Sequence, residues 1–278
     1  MIDPSCDAAL RQARGVGVDR LDAQLLLARV LGTTRAGVIA HGERLLQPAE
    51  LAQWQALLAR RAAGEPLAYL LGEKEFHGLR LEVTREVLIP RPETELLVDW
   101  ALEKLSSRPA APTVVDLGTG SGAIALAIKH RRTDACVMAT DISPAALDVA
   151  VGNAARLGLT VEFLAGAWWQ ALAGRRFDVV VANPPYVAAG DSHLAALRHE
   201  PRAALTPGDD SLAALHEIVD GAAGHLEPGG WLIVEHGFDQ HEAVRWRMAS
   251  AGLADVESRA DLAGQPRATA ARRPGGAA

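Results

Sequence analysis

The stretch Asn183-Pro184-Pro185-Tyr186 follows Ala182 and three valines, Val179–Val181, that are typical of a buried β-strand. Each proline fixes its φ angle at about −65° and lacks an N–H donor, and a residue that precedes proline is kept out of the helical region. Asn183 is therefore predicted to stand on rigid, extended backbone at the carboxyl end of a strand, where its amide can donate and accept hydrogen bonds. A stiff exit from the strand with no chemical role would show the same pattern.

A second candidate site is the glycine-rich turn after an earlier predicted strand, in the segment VVDLGTGSGAIAL. Gly118, Gly120 and Gly122 permit a tight turn and close approach of a ligand to the backbone, just before a helix begins. Asp141 ends the next predicted strand, about twenty residues further on, where an acid can bind both hydroxyls of a ribose. Asp116, just before the turn, could pair with a cationic group such as an amino-acid ammonium. The pattern indicates a ligand that contains a ribose, although a plain tight turn uses the same glycines.

The composition excludes several other functions. The chain has 278 residues, of which 49% are hydrophobic and 22% charged, and its formal net charge is −6. An acidic chain does not offer the basic surface of a general nucleic-acid-binding protein, so we expect no stable nucleic-acid binding. Its two cysteines, Cys6 and Cys136, are far apart, and its histidines do not show metal-ligand spacing. We therefore expect neither a disulfide framework nor a metal site.

The sequence also predicts a cytoplasmic location. The first segment, MIDPSCDAALRQARG, lacks the apolar core of a signal peptide. The longest apolar run, LLLARVLG, is too short to span a bilayer, so we expect no association with membranes.

The elements that must position the candidate residues change in character along the chain. Residues 1–73 show helical periodicity and predict a bundle of two or three helices, one ending at Gly32 and another running from about Pro48 to Gly64. Such a bundle could hold a substrate or only stabilise the protein, and the pattern fits both. Residues 74–92 predict a β-hairpin and a proline-rich linker.

Residues 93–278 predict an α/β domain, because strands alternate with helices there. Such a pattern indicates a mostly parallel sheet that is covered on both faces. The tail RRPGGAA is predicted to be disordered. The seven predicted strands lie in TVVDLG, ACVMATD, TVEFLAG, FDVVVA, GGWLIVEHG, ADVESRADL and RATAAR.

Three motifs, DLGTGSGAIALA, TDIS and NPPY, in this order resemble those of class I S-adenosylmethionine-dependent methyltransferases. Together with GEPLAYLLGEKEFHGLRLEV and LIPRPETELLV, they make the chain similar to the protein-(glutamine-N5) methyltransferases of the PrmC/HemK family, which modify peptide chain release factors. The resemblance extends from about Leu21 to Arg273. NPPY alone is shared with enzymes that methylate amino groups of DNA, whereas LIPRPETE is far more specific.

The resemblance implies a Rossmann-like, mostly parallel seven-stranded sheet with a small N-terminal helical domain for substrate recognition. It implies methylation of the side-chain amide nitrogen of the glutamine in the GGQ motif of class 1 release factors, with S-adenosyl-L-methionine converted to S-adenosyl-L-homocysteine. Ala167 stands where family members often have an acid, so another group must recognise the adenine amino group. The expected cofactor contacts are Asp116, Gly118, Thr119, Gly120, Ser121, Gly122, Asp141, Trp168 and Asn183. The expected catalytic residues are Asn183, Pro184, Pro185 and Tyr186.

Methylation of an amide needs positioning, because the nitrogen lone pair is delocalised into the carbonyl group. The Asn183 side-chain oxygen and the Pro184 carbonyl could each accept one amide hydrogen and aim the lone pair at the methyl carbon. Tyr186 would pack against the flat face of the substrate amide.

Two other functions fit parts of the pattern. One is an adenine amino-methyltransferase acting on DNA or RNA, which would require a basic recognition segment. The other is a non-catalytic protein that binds S-adenosylmethionine or a translation factor.

Several other side chains have two interpretations. Arg91 and Glu93 either line the site or form an exposed ion pair. Trp168 and Trp169 either belong to the core or include one ring that stacks on adenine. Glu235 and His236 follow a late strand near the expected pocket, but the chemistry does not require either of them.

Overall fold

The structure is a computed structural model that describes residues 5–108 and 110–275. It contains two compact units, one ending at Glu73 and the other beginning at Lys74. The predictions about a signal peptide and a disordered tail fall partly on residues 1–4 and 276–278, which lie outside the described residues.

The first unit is helical, as predicted, but residues 5–73 contain five helices rather than two or three. Three of the five span only 10, 6 and 5 residues, too few for several repeats of the helical period. The two longer helices agree with the sequence pattern, and Gly32 ends one of them with a φ of 61°. The helices are α1 (Cys6–Gly15), α2 (Arg20–Leu31), α3 (Arg35–Ala40), α4 (Pro48–Ala62) and α5 (Leu67–Leu71).

Trp54 forms the centre of this first unit. Its side chain is fully buried together with Leu26 and Leu27 of α2. The indole Nε1 donates a hydrogen bond of 3.2 Å to Gln12 on α1, so the buried polar atom is satisfied. Leu26 and Leu27 are therefore core, whereas Leu21 at the start of the same helix is 46% exposed.

The second unit starts with a two-stranded hairpin and continues as an α/β domain. Single turns of 3-10 helix occur at Pro92–Thr94, Gln170–Leu172, Ser192–Ala195 and Arg202–Ala204. The helices are α6 (Glu95–Ser106), α7 (Ala123–Arg131), α8 (Pro144–Leu157), α9 (Ala213–His225) and α10 (His241–Ser250). The strands are β1 (Glu73–Phe76), β2 (Leu79–Glu82), β3 (Thr113–Leu117), β4 (Cys136–Asp141), β5 (Glu162–Ala165), β6 (Phe177–Ala182), β7 (Leu226–Glu235), β8 (Ala254–Ala260) and β9 (Pro266–Arg272).

The large sheet has seven strands in the order β5-β4-β3-β6-β7-β9-β8. β3 to β7 are mutually parallel, and β9 runs antiparallel to both of its neighbours. This confirms the predicted mostly parallel sheet. The strand order reverses direction between β3 and β6, and Leu117 pairs there with Ala182. The segments that follow these two residues, the glycine turn and Asn183, therefore leave the sheet side by side, at the place where sheets of this class bind ligands.

The valines before Asn183 are buried because both faces of the sheet are covered. Val179 and Val181 belong to one core cluster with side chains of α6 and α7, while Val180 belongs to a second cluster with side chains of α9 and α10. All three valines are fully inaccessible to solvent. Strand β6 is therefore held from both sides, and its end is a rigid base for Asn183.

None of the helices in the described parts of the chain combines the length and the apolar character needed to cross a membrane.

Candidate active site

A cavity of about 280 Å³ lies in the second unit at the carboxyl ends of β3, β4 and β6. Of the residues predicted from sequence, those that line it are Gly118, Thr119, Gly120, Ser121, Asp141, Trp168, Asn183 and Pro185. The predicted residues Asp116, Gly122, Pro184 and Tyr186 are not among the residues that line it. The cavity thus brings the glycine turn and the NPPY segment into one space.

The glycine turn is shaped by backbone conformations that favour glycine. Gly118, Gly120 and Gly122 have φ angles of 74°, 55° and 84°. The N–H groups of Gly118 and Thr119 both donate to the carbonyl of Thr140, at 2.9 Å each. A Cβ atom added to Gly118 would lie 3.2 Å from the Trp168 ring. The turn is therefore fixed to β4 by main-chain bonds, and the Trp168 ring lies against Gly118.

Asp141 holds the turn from the end of β4. One carboxylate oxygen accepts from the N–H of Gly120 and the other from the N–H of Ser143, at 2.9 Å each. Each oxygen retains a further lone pair that can accept another hydrogen bond. Asp141 lines the cavity, so its carboxylate can accept from two neighbouring hydroxyl groups of a ribose.

Asp116 is fully buried and contacts the turn from behind. Its Oδ2 accepts from the Thr119 hydroxyl at 2.6 Å and from the N–H of Ala125 at 3.2 Å. Among the described residues, none donates to its Oδ1. Burial, with a smaller contribution from the charge of Asp141, raises the pKa of Asp116 to about 7. A nearby cation would favour the ionised form of this carboxyl, and its pairing with an ammonium group stays a prediction.

The two tryptophans after β5 have different surroundings. Trp168 lines the cavity and has a φ of 43°, which is unusual for a residue other than glycine. Trp169 instead stacks on His225 of α9, with ring centroids 4.5 Å apart, and donates its N–H to the carbonyl of Glu217. The ring available to a ligand is that of Trp168.

Asn183 is tied to two residues from distant parts of the chain. Its Nδ2 donates to the Thr94 hydroxyl at 3.1 Å, and that hydroxyl donates to Oε2 of Glu235 at 2.6 Å. The Tyr186 hydroxyl donates to Oε1 of the same carboxylate at 3.0 Å. Thr94 and Glu235 are both buried. Burial raises the pKa of Glu235, and burial together with the Glu235 charge raises the pKa of Tyr186. The Tyr186 hydroxyl is thus directed to Glu235, and the packing of its ring against the substrate amide stays a prediction.

The wall beside Asn183 is completed by an ion pair that the sequence did not reveal. The guanidinium of Arg91 donates to Oε1 of Glu200 at 2.5 Å, and the N–H of Ile89 donates to Oε2 at 3.1 Å. The side chain of Glu200 is only 2% exposed. Arg91 lines the cavity, which agrees with the interpretation that it lines the site. Its ion-pair partner is Glu200 and not Glu93.

Sequence reasoning missed Thr94, Glu200 and Ile142 as parts of the site. Thr94 stands inside the motif LIPRPETE, so the motif itself was a signal. Ile142 follows Asp141 and lines the cavity although its side chain is 71% exposed. Nothing in the sequence near Glu200 marked it as the partner of Arg91.

Two further observations concern His236 and possible metal ligands. His236 is buried, and its Nε2 lies 2.7 Å from the Thr269 hydroxyl, so it is engaged away from the cavity lining. Within residues 5–108 and 110–275, no group of three or more His, Cys, Asp or Glu side chains is arranged to hold a metal ion.

Comparisons with known proteins identify relatives over most of the chain. The PrmC N-terminal domain family matches residues 6–72, and the methyltransferase small domain family matches residues 93–209. A release factor glutamine methyltransferase of Bordetella pertussis is 55% identical over 89% of this chain and 93% of its own length. One of Burkholderia pseudomallei is 52% identical over 98% of both chains.

The chain belongs to the release factor glutamine methyltransferase family. The family resemblance seen in the sequence is thereby confirmed. As a member of this family, the chain is an S-adenosylmethionine-dependent protein-(glutamine-N5) methyltransferase. A solved methyltransferase structure from Pyrococcus furiosus shares the fold, with a TM-score of 0.55 and 17% identity over 78% of this chain and 97% of that chain.

Proposed function

We propose that this glutamine methyltransferase transfers the methyl group of S-adenosylmethionine to the glutamine of the GGQ motif in class 1 peptide chain release factors. The observation that carries the proposal is that the glycine turn and Asn183 line one cavity. The relatives named release factor glutamine methyltransferase, with up to 55% identity, support this substrate. Modification of a translation factor is consistent with the predicted cytoplasmic location.

The cofactor would be held by the residues of the turn and of β4. The backbone of 118–121 would face the amino-acid portion, Asp141 would accept from the ribose hydroxyls, and Trp168 would cover the adenine. Asp116 would balance the charge of the cofactor ammonium, since its carboxyl contacts the turn through Thr119. When bound, the cofactor supplies a methyl group activated by a positively charged sulfur.

The NPPY segment would orient the substrate amide. The side-chain oxygen of Asn183 and the carbonyl of Pro184 would each accept one hydrogen of the glutamine –NH₂, which directs the nitrogen lone pair toward the methyl carbon. A nitrogen–carbon bond forms as the carbon–sulfur bond breaks, and its electron pair remains on sulfur. The nitrogen then loses one proton to solvent. Because that proton becomes acidic only as the methyl arrives, the site needs acceptors rather than a strong base.

The charges of the site argue against a nucleic-acid substrate. Among the described residues that line the cavity, Arg91 is the only basic one, and its guanidinium is paired with Glu200. The whole chain carries a net charge of −6. An enzyme that methylates adenine in DNA or RNA gains much of its affinity from basic groups that contact phosphates.

The helical unit of residues 5–73 is proposed to recognise the release factor rather than only to stabilise the chain. Its match to the PrmC N-terminal domain family supports this role. A variant that begins at Lys74 should then bind cofactor normally but methylate an intact release factor much more slowly than a short GGQ peptide. Equal rates on both substrates would leave the unit with a stabilising role only.

The proposed substrate is tested by mass spectrometry. The protein is incubated with S-adenosylmethionine and a class 1 release factor, and the digest should show one added methyl group on the GGQ glutamine. A release factor with alanine in place of that glutamine is the matched control and should remain unmodified. Methylation of adenine in DNA or RNA, with an unmodified release factor, would contradict the proposal.

A further inference from the structure

Thr94 connects Asn183 to a buried carboxylate through one hydroxyl group. The hydroxyl oxygen lies 2.6 Å from Oε2 of Glu235 and 3.1 Å from the side-chain amide of Asn183. Thr94 is 4% exposed and Glu235 is 1% exposed, so the bond between these two residues is shielded from solvent. The three groups are 89 and 141 residues apart along the chain.

The number of available protons determines which group donates and which accepts in these two hydrogen bonds. The Thr94 and Tyr186 hydroxyls each donate to one oxygen of Glu235, as they would to an ionised carboxylate. Such a carboxylate only accepts hydrogen bonds, whereas a hydroxyl has one proton to donate. The proton of Thr94 is directed to Glu235, so only a lone pair of its oxygen remains for Asn183. The amide of Asn183 must therefore turn its –NH₂ toward Thr94, which leaves Oδ1 as the atom free to meet a ligand.

The opposite orientation of the amide would be harmful. An asparagine amide can rotate by half a turn with little change in shape, because its oxygen and nitrogen are similar in size. After such a rotation Asn183 would present –NH₂ to the –NH₂ of a glutamine, and two donors do not form a hydrogen bond. Free rotation would thus remove the acceptor that directs the substrate lone pair.

We propose that Thr94 and Glu235 are positioning residues that fix the amide of Asn183 with its oxygen toward the substrate. This inference rests on the proposed function, because it concerns how Asn183 meets the glutamine amide. Neither residue needs to touch the substrate glutamine for this role.

Glu235 also holds the other end of the NPPY segment. The Tyr186 hydroxyl donates to its second oxygen at 3.0 Å, so one carboxylate fixes both the first and the last residue of the segment. Burial raises the pKa of Glu235, whereas the hydrogen bonds from Thr94 and Tyr186 and the charge of Arg267 on β9 lower it. A glutamine at this position has one oxygen and one –NH₂, and so it cannot accept from both hydroxyls. Glu235→Gln should therefore weaken one of the two attachments.

The first test compares Thr94→Val, which deletes the hydroxyl while keeping the shape, with Thr94→Ser, which keeps the hydroxyl. Thr94→Val should lower kcat about 10–100-fold, since misdirected reactants lose rate at this scale, with cofactor Kd changed less than about threefold. Thr94→Ser should stay within about threefold of the wild-type kcat, and Glu235→Gln should resemble Thr94→Val. Wild-type kcat in Thr94→Val, or equal losses in the valine and serine variants, would overturn the proposal.

A second measurement follows the side-chain amide protons of Asn183 directly and does not depend on methyltransferase activity. The chain contains only two asparagines, Asn153 and Asn183, so labelling asparagine with ¹⁵N gives two side-chain amide signals. Thr94→Val should speed solvent exchange of the Asn183 amide protons by about tenfold or more. Asn153, whose amide donates to the carbonyls of Glu82 and Ser121, is the internal control and should not change. Unchanged exchange at Asn183 would overturn the proposal.

A matched control pair lies at the amino end of β3, at the opposite end of the strand from the cavity. The hydroxyl of Thr113, at the start of β3, donates to the carboxylate of Asp178 at 3.1 Å. Thr113→Val should leave kcat and the Asn183 signal unchanged. Failure of the wild-type protein to methylate glutamine would refute the proposed function alone, because the exchange measurement would still decide whether Thr94 fixes the Asn183 amide.

Discussion

The two walls of the cavity are built in different ways. The wall formed by the glycine turn is held by main-chain bonds and by one acid, Asp141, that lies 21 residues from the Gly120 N–H it binds. The wall formed by the NPPY segment is held by side chains, and its contacts join residues 49, 89 and 141 positions apart. Local backbone conformation determines the first wall, whereas distant side chains determine the second.

This difference predicts that the two walls are sensitive to different kinds of substitution. Side chains of the NPPY wall should be sensitive to the loss of single polar atoms, because each buried donor or acceptor has few alternatives. The glycine wall should instead be sensitive to added atoms, because its glycines have positive φ angles and some face close neighbours. The following changes test this comparison, from the largest expected effect to the smallest.

Asn183→Ala should have the largest effect, because it deletes the acceptor proposed to orient the substrate amide. Turnover should fall by about 10²–10³, the typical cost of losing one positioned group. Asn183→Asp keeps an acceptor but adds a charge that stabilises the sulfonium of the ground state, so its rate should lie between those of the alanine variant and the wild type. Single-turnover methyl transfer measures both rates. Wild-type rates in both variants would reduce the NPPY segment to a rigid strand exit.

Asp141→Ala should weaken cofactor binding by more than about tenfold, because charge-assisted hydrogen bonds are worth about 1.5–3 kcal/mol. It also removes the acceptor for the N–H of Gly120. Asp141→Asn keeps oxygen at the same place and should lose less. Calorimetric titration with S-adenosylmethionine compares the variants, with circular dichroism as the test of folding. Unchanged affinity in the alanine variant would remove Asp141 from the cofactor site.

Asp116→Asn should increase the unfolding free energy and, at the same time, weaken cofactor binding. The pKa of Asp116 is raised to about 7, so the folded protein keeps a proton that the unfolded chain loses above its ordinary pKa. Stability from this group is complete at low pH and falls as the pH rises toward about 7. The variant lacks this loss, so its gain in unfolding free energy over the wild type should be greater at pH 8 than at pH 5, by about 2–3 kcal/mol.

The same substitution should weaken cofactor binding, because an amide cannot balance the ammonium charge. Urea unfolding of the ligand-free proteins at the two pH values measures the first effect, and calorimetry measures the second. A stability difference that does not change with pH would show that Asp116 is ionised throughout.

Gly122→Ala should have the smallest effect, a loss of stability of about 1–2 kcal/mol, the cost of left-handed backbone for a residue with a Cβ. The new atom would also lie 3.0 Å from Leu126 and 3.3 Å from Ala150. Gly152→Ala in α8 is the matched control, because no atom lies within 4 Å of the added Cβ and the position is helical. It should stabilise the protein by about 0.5–1 kcal/mol. Thermal unfolding compares the two, and equal effects would contradict the argument from φ.

Much of the fold could be read from the sequence because its signals are local. The alternation of strand and helix patterns predicted the seven-stranded sheet, and Gly32 marked the end of α2. The short helices α1, α3 and α5 could not be read in the same way, because so few turns do not establish a period. The glycine turn and Asp141 were visible for the same reason, since φ angles and strand ends depend on neighbours in sequence.

The partners of Asn183 depended on the tertiary structure. The sequence placed Asn183 at a strand end, but Thr94 and Glu235 come from a 3-10 turn and from β7, and only the pairing of strands brings them within hydrogen-bond distance. Likewise, the sequence left open whether Arg91 lines the site or forms an exposed ion pair, because its partner Glu200 lies 109 residues away along the chain. Residue types and spacing determine which groups can react, whereas the direction of a buried hydrogen bond depends on which distant side chains the folded core leaves beside it.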